Sequence, residues 1–376
     1  MTTILAGAAL VLPTQLVTTG WVELEGDRIV HVGSGVPPRS ADVDLGGGYL
    51  APGFVDIHSH GGGGSTVVGG DPDAVAGFAR AHREHGTTTI VASLVSAHPD
   101  ALARDVAALA ELAQEGVIAG IHLEGPWIAP EYKGAHDPAT LRDPDPEEVD
   151  ALLRIGRGTI RMVTLAPEYP HGLDAVARFA AAGVIPAVGH TNATYAQTRA
   201  AIEAGASCST HLFNAMRPVN HREPGPVVAL TEDERVTNEL ILDGVHVHAA
   251  AAAFAARAAQ GRVVLVTDAM TAAAGQDGDY LLGDLPVIVT DGVARLVDGG
   301  AIAGSTLTLD HAVRFAVQQV GLDLPQAIAA ATATPARMLG LADRGTLTPG
   351  TRADLVHLDG DLALTRVWRA GTAVPR

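Results

Sequence analysis

Two histidines separated by one residue, His58 and His60, end an apolar run that begins at Gly53, and four glycines follow, Gly61 to Gly64. Successive side chains of a strand alternate faces, so the two rings point the same way. Paired imidazoles at a strand end are natural ligands for a divalent cation such as zinc. The glycines let the chain turn sharply and bring backbone close to whatever binds there. His-x-His carries little by itself; its meaning depends on what other runs deliver. Four of them end in related chemistry: Ile121-His122-Leu123-Glu124, Val188-Gly189-His190, Ser209-Thr210-His211 and Val266-Thr267-Asp268. Each residue has a plain structural reading, such as a hydrogen-bonded surface histidine, a capping Glu124, or an Asp268 that caps the alanine-rich stretch around Thr271. Six of them (His58, His60, Glu124, His190, His211 and Asp268) at successive run ends in one register point instead to a shared site. Imidazole and carboxylate without thiolate suit a catalytic metal with an open position better than a closed structural one.

The elements that must position these residues alternate. Apolar β-type runs lie at 53–58, 88–95, 117–123, 160–166, 184–189, 207–212, 238–245 and 262–267. Alanine-rich helical patterns separate them, as at Pro72 to His85, Asp100 to Gln114, Thr194 to Ala204 and Ala249 to Gln260. About eight strands alternating with helices over roughly 290 residues predict an α/β fold, a (β/α)8 TIM-like barrel, over the competing doubly wound sheet. In a parallel barrel the C-terminal strand ends converge on one mouth, which is where polar run ends would meet. A hairpin around Leu281 to Leu296, turning at Thr290-Asp291-Gly292, is inserted after the eighth run. The two ends of the chain read differently, as short strands with turns: Trp21 to Leu24 and Arg28 to Val32 about a Glu25-Gly26-Asp27 turn, then Asp354 to Leu358 and Thr365 to Arg369. The predicted division is a small β-sandwich domain from 1–51 and 345–376, and the barrel from 52–344.

Composition bounds the partners. The chain has 376 residues, is 47% hydrophobic and carries a formal charge of −17. That charge argues against nucleic acid or an anionic membrane surface, and an anionic substrate would need local positive charge. No run approaches a membrane span, and Met1 to Leu12 lacks the basic start and small-residue cleavage site of a signal peptide. The single Cys208 fits a reducing compartment, so a cytoplasmic location is expected; by strand alternation it points away from His211 and reads as packing. Lys133 is the only lysine. It lies far from the glycine run, which excludes a P-loop. His246-Val247-His248 is a second His-x-His, read as a substrate contact or ligand pair, with a helix-start role open for His248. His82, His85 and His98 read as solvated helix or loop positions.

At this point the chain resembles the amidohydrolase superfamily, and within it the N-acetylglucosamine-6-phosphate deacetylases. The matching motifs are Pro52-Gly53-Phe54-Val55-Asp56, His122-Leu123-Glu124-Gly125-Pro126, Lys133-Gly134-Ala135-His136, Gly189-His190-Thr191, His211-Leu212-Phe213-Asn214-Ala215-Met216, Arg222-Glu223-Pro224-Gly225, Asp243-Gly244-Val245-His246 and Thr267-Asp268-Ala269-Met270. The ending Pro349 to Leu355 is similar to the superfamily's return to its small β-domain. The resemblance implies that Glu124, His190 and His211 hold the main metal and that Asp268 is the general base and acid. It implies that Asn214, Ala215 and His246 contact a sugar phosphate, with His136 near the acetamide. Arg222 would reach the phosphate across a homodimer interface, supplying the local positive charge in a form suited to bidentate binding.

The implied reaction is metal-assisted hydrolysis of the acetamide of N-acetylglucosamine 6-phosphate to glucosamine 6-phosphate and acetate, a step of amino-sugar catabolism. Zinc is the first choice of cation, with Fe, Mn or Co as alternatives and one or two ions per subunit. Some deacetylases of this family lack the first-strand pair and work with one metal, so His58 and His60 imply a second site bridged by Glu124. The alternatives are another N-acyl or cyclic-amide hydrolase of the superfamily, or a non-catalytic binder on a barrel scaffold. Relatives that bridge two metals with a carboxylated lysine on a strand are disfavoured, because Lys133 falls in a loop. A binder need not keep Asp268.

Overall fold

Strands from both ends of the chain share one sheet in the computed structural model, which describes residues 2–375. This sheet belongs to the first of two compact units, made of Met1–Asp56, Arg80–Thr89 and Thr308–Arg376. Thr2–Leu12 pairs antiparallel with Gln15–Glu25, which pairs with Arg28–Ser34. The turn between the last two is carried by Gly26 at φ 57°, a conformation glycine adopts without a Cβ clash. From the other end of the chain, Leu355–Leu358 pairs antiparallel with Tyr49–Pro52 and with Leu364–Arg369. Leu5, Leu10, Val22, Ile29, Leu50, Leu355 and Trp368 form the buried face; covering each large apolar side chain is worth roughly 1.5–3 kcal/mol. The four terminal strands expected from the sequence lie within or overlap these elements.

Two histidines in this unit differ from the sequence expectation. His82 is buried, not solvated. It extends the stripe Val75, Phe78, Ala79 by one more helical step on Pro72–Glu84, so the helix period carries it onto the inward face. His85 is half-buried and lies 3.4 Å from the Asp310 carboxylate. His98, which precedes helix Pro99–Gln114, is exposed as expected.

The second unit, Ile57–Ala79 and Ile90–Leu307, is built on seven parallel strands in sequential order. They are Ala92–Leu94, Ile121–Glu124, Ile160–Leu165, Ile185–Val188, Cys208–Ser209, Thr237–Ile241 and Val263–Val266. The segment around Ser59 closes the ring. Ser59 bridges Ala269 in parallel, Asp268 N–H donates to His58 O at 2.9 Å, and Ser93 N–H donates to Ser59 O at 2.9 Å. The result is the expected TIM-like barrel. Helices Pro99–Gln114, Tyr195–Ala204 and Ala249–Ala258 fall within two residues of their predicted bounds. Thr194 and Gln197 form a reciprocal capping box, and His248 caps its helix by accepting from Ala250 N–H. The predicted insertion is three antiparallel strands, Gly278–Leu282, Leu285–Thr290 and Val293–Leu296, packed through Val287, Val289 and Leu296 on Met270.

Several runs are shorter than their apolar patterns suggest, among them 238–245, which is strand only over Thr237–Ile241, and two have a visible cause. The 117–123 run is strand only from Ile121, because Val117 N–H still bonds back to Leu112 O at the end of the preceding helix. The 207–212 run keeps only Cys208–Ser209, because the chain leaves the extended region at His211.

Candidate metal centre

Half of the six candidate ligands sit where a barrel strand has just ended and the backbone turns left-handed. His190, His211 and Asp268 have φ of 48°, 27° and 48°. Such conformations cost about 1–3 kcal/mol each in non-glycine residues and persist where the surroundings hold them. The hold is visible here. His211 N–H donates to Glu239 Oε2 at 3.0 Å, and Asp268 N–H to the His58 carbonyl. Phe213 and Ala215 are also left-handed, at φ 80° and 49°. Glu124 alone stays in its strand, Ile121–Glu124. Gly61 begins the glycine turn where a Cβ would stand 2.6 Å from Ser65 O and 2.9 Å from Thr271 N.

The turns gather two ligand groups around one carboxylate. In the first, Glu124 Oε1 lies 3.1 Å from His190 Nε2 and 3.0 Å from His211 Nε2, which are themselves 3.0 Å apart. In the second, His58 Nε2 and His60 Nε2 are 3.2 Å apart, Glu124 Oε2 is 3.2 Å from His60, and Asp268 Oδ1 is 3.2 and 3.5 Å from His60 and His58. Potential ligand atoms in each group lie within 4.8 Å of one another. Glu124 is therefore shared by the two groups, with Oε1 also 3.4 Å from His58 Nε2.

The donor set fits a cation. His60 Nδ1 faces the Ser93 carbonyl at 2.9 Å, His190 Nδ1 the Tyr132 carbonyl at 2.8 Å, and His58 Nδ1 the Glu239 carboxylate at 3.1 Å. These acceptors hold a proton on Nδ1 and aim Nε2 at the site, where it is a lone pair once a cation takes the place of a proton there. Lone pairs facing carboxylates require positive charge between them. Two ligands about 2.05 Å from a zinc ion at the tetrahedral angle stand roughly 3.3 Å apart, close to the spacing of both groups. Burial drives His190 down to about pKa 4 against the pull of Glu124, so its ring is neutral and ready to ligate at neutral pH. For His58 and His60 burial also opposes protonation, but Glu124, Asp268 and, for His58, Glu239 outweigh it and raise both, His60 to about 9. Burial would raise Glu124 and Asp268, yet the His58 charge and the bonds from neighbouring histidines hold both carboxyls below their usual range.

A cavity of about 330 Å³ opens over the centre. His60, Glu124, His190, His211 and Asp268 line its floor, and Val95, Leu282 and Ile302 give it an apolar side. His136, Asn214, Ala215 and His246 also line it. Ser96 N–H donates to His136 Nδ1 at 3.2 Å, which puts the ring proton on Nε2, 3.4 Å from Glu124 Oε2. His136 thus presents a donor where the other rings present lone pairs. Asp243 accepts from His246 Nδ1 at 2.6 Å. Burial disfavours a charged His246, but Asp243 and Asp268 outweigh it and keep its pKa raised. Arg222 is the predicted residue that this chain does not bring to its own cavity; it is exposed. Lys133 is off any strand, with Nζ donating to the carbonyls of Gly134 and His136. Cys208 is buried, as read.

Sequence reasoning missed the supports. Glu239 was passed over within an apolar run, although a charge inside such a run is itself a signal. Ser93, His122, Thr164 and Thr210 form a buried chain, with contacts of 2.9, 2.8 and 2.6 Å in that order. Replacing His58 by Gln together with His60 by Asn should lower bound metal by one ion per chain and leave the Glu124–His190–His211 group loaded. Unchanged stoichiometry by elemental analysis would make the pair a neighbour of a one-metal site.

A sequence profile described as the Amidohydrolase family matches residues 49–374. The chain is similar to the N-acetyl-D-glucosamine-6-phosphate deacetylase of Mycobacterium smegmatis, solved as a mutant in complex with N-acetyl-D-glucosamine-6-phosphate. The identity is 50% with a TM-score of 0.97, over 99% of each chain. It is 38% identical to an N-acetylgalactosamine-6-phosphate deacetylase of Escherichia coli O157:H7, over 95% of this chain and 96% of that one. It is 32% identical to the N-acetylglucosamine-6-phosphate deacetylase of Lysinibacillus sphaericus, over 93% and 92%. With two ligand groups about one carboxylate at a barrel mouth, and likeness running nearly end to end, this chain belongs to the amidohydrolase family, among the N-acetylglucosamine-6-phosphate deacetylases.

Proposed function

We propose that this chain hydrolyses the acetamide of N-acetylglucosamine 6-phosphate, releasing acetate and glucosamine 6-phosphate. The observation that carries this reading is the meeting of three functions in one cavity: a cation-ready group at Glu124, His190 and His211, a carboxylate at Asp268, and a proton-bearing His136 Nε2. A divalent cation held there, zinc first, supplies Lewis acidity and lowers the pKa of water. Asp268 takes the proton of the attacking water; its low pKa keeps it ionised at neutral pH and ready to do so. His136 donates from Nε2 to the amide oxygen as negative charge develops there. Asp268 then returns the proton to the departing nitrogen.

Asn214, Ala215 and His246 hold the sugar phosphate in this reading. No arginine or lysine lines the cavity among the described residues, so the rest of the phosphate charge falls to Arg222 of a second copy in a homodimer. That geometry explains why Arg222 lies exposed and away from its own site. No helix among the described residues is long and apolar enough to cross a membrane, and a cytoplasmic enzyme fits the lone buried thiol.

Metal-loaded protein should release acetate from N-acetylglucosamine 6-phosphate and not from N-acetylglucosamine, which lacks the phosphate. Chelation should abolish turnover and zinc restore it. Absence of acetate from loaded protein would return the chain to a binding role. The 38% identity to a galactosamine-type relative favours a second reading, in which the epimer at C4 is the better substrate. The ratio of kcat/KM for the two sugars decides between them.

A further inference from the structure

Glu239 is fully buried on strand Thr237–Ile241, and none of the proposed steps uses it. It does not line the cavity. One of its oxygens, Oε2, accepts twice: from His58 Nδ1 at 3.1 Å and from the backbone N–H of His211 at 3.0 Å. Its own carbonyl accepts Leu212 N–H at 2.9 Å. The same residue therefore grips a ring from one ligand group and the backbone of a ligand from the other. The gripped backbone is also the strained one, since His211 sits at φ 27°. The other oxygen, Oε1, is buried without a hydrogen-bond partner among the described residues.

Resting on the metal-dependent reading above, we propose that Glu239 is a positioning residue that clamps the two ligand groups into one bimetal-sized frame. It fixes the His58 tautomer so that Nε2 faces the site, and it holds His211 in a backbone conformation the ring needs to reach Glu124. Losing an outer-shell partner of this kind costs about 10–100-fold in metal affinity.

The test is a zinc titration of the full chain against a chromophoric chelator, run on wild type, Glu239→Ala and Glu239→Gln. Glu239→Ala should weaken zinc binding about 10–100-fold. Glu239→Gln can still offer one oxygen to both donors and should recover most of that loss. A merely structural role would lower the melting temperature of all forms without this ordered rescue. Zinc binding by a folded Glu239→Ala equal to wild type overturns the proposal and leaves the metal-dependent reading standing; no zinc binding by wild type overturns both. Histidine-labelled wild-type protein gives a check that needs no variant to fold. A slowly exchanging Nδ1–H on His58 is expected by NMR, and a proton resident on Nε2 in zinc-loaded protein would overturn the clamp.

Discussion

Asp268→Asn should cut turnover by about 10²–10⁴-fold, the usual worth of a positioned acid–base group, while the chain stays folded and keeps metal at Glu124, His190 and His211. The amide has the same shape as the carboxylate but cannot take a proton from water near neutral pH. Its Oδ1 can still approach His60, now 3.2 Å away, so the mouth of the barrel should keep its geometry. The split between kcat and KM is informative. If Asp268 acts on protons alone, kcat falls and KM barely moves. Elemental analysis beside steady-state kinetics checks both halves. Near-normal turnover, or loss of the ion at the first group, would remove Asp268 from the role of general base.

Glu124→Ala should have the larger effect on metal. This carboxylate is common to both ligand groups, with contacts of 3.0 to 3.4 Å to five different imidazoles: His58, His60, His136, His190 and His211. Loss of an outer-shell partner weakens binding about 10–100-fold, and loss of a shared ligand should exceed that. Metal content is therefore expected to fall well below one ion per chain, and acetate release by more than about 10³-fold, a loss of at least roughly 4 kcal/mol in transition-state stabilisation. Added zinc should not restore it. A variant that retains stoichiometric metal would show that the histidines alone form the site. Folding has to be followed separately by melting temperature, because removing Glu124 leaves the buried imidazoles it faces without their carboxylate partner.

Most of the centre could be read before any coordinates, and the reason is physical. Polar residues at the ends of apolar runs are expensive anywhere except at a functional mouth, so His58, His60, Glu124, His190, His211 and Asp268 stood out by type and place. What periodicity could not convey was the exit geometry. An apolar pattern through 207–212 suggests extended backbone, whereas the chain must turn left-handed at His211 to aim the ring inward. The supports were also hidden. Glu239 looked like a lone charge between Asn238 and Leu240, and only folding places it against His58 and His211 from distant parts of the chain. His82 has an ionisable side chain that suggests solvent, but its place in the Val75–Phe78–Ala79 stripe puts it inside.

The short segment His58-Ser59-His60 contributes ligands at its ends and closes the barrel at its middle, where Ser59 joins Ala269 on one side and Ser93 on the other. A seam and a binding site that share three residues cannot open independently. Any fluctuation that parts the seam scatters the rings, and any ion that binds the rings resists the parting by RT ln(1 + [L]/Kd). The ion is then a clasp as well as a reagent. Scarcity of metal would then loosen the barrel at the place where the proposed chemistry would also fail, so that starved molecules would be both idle and marked by an open edge.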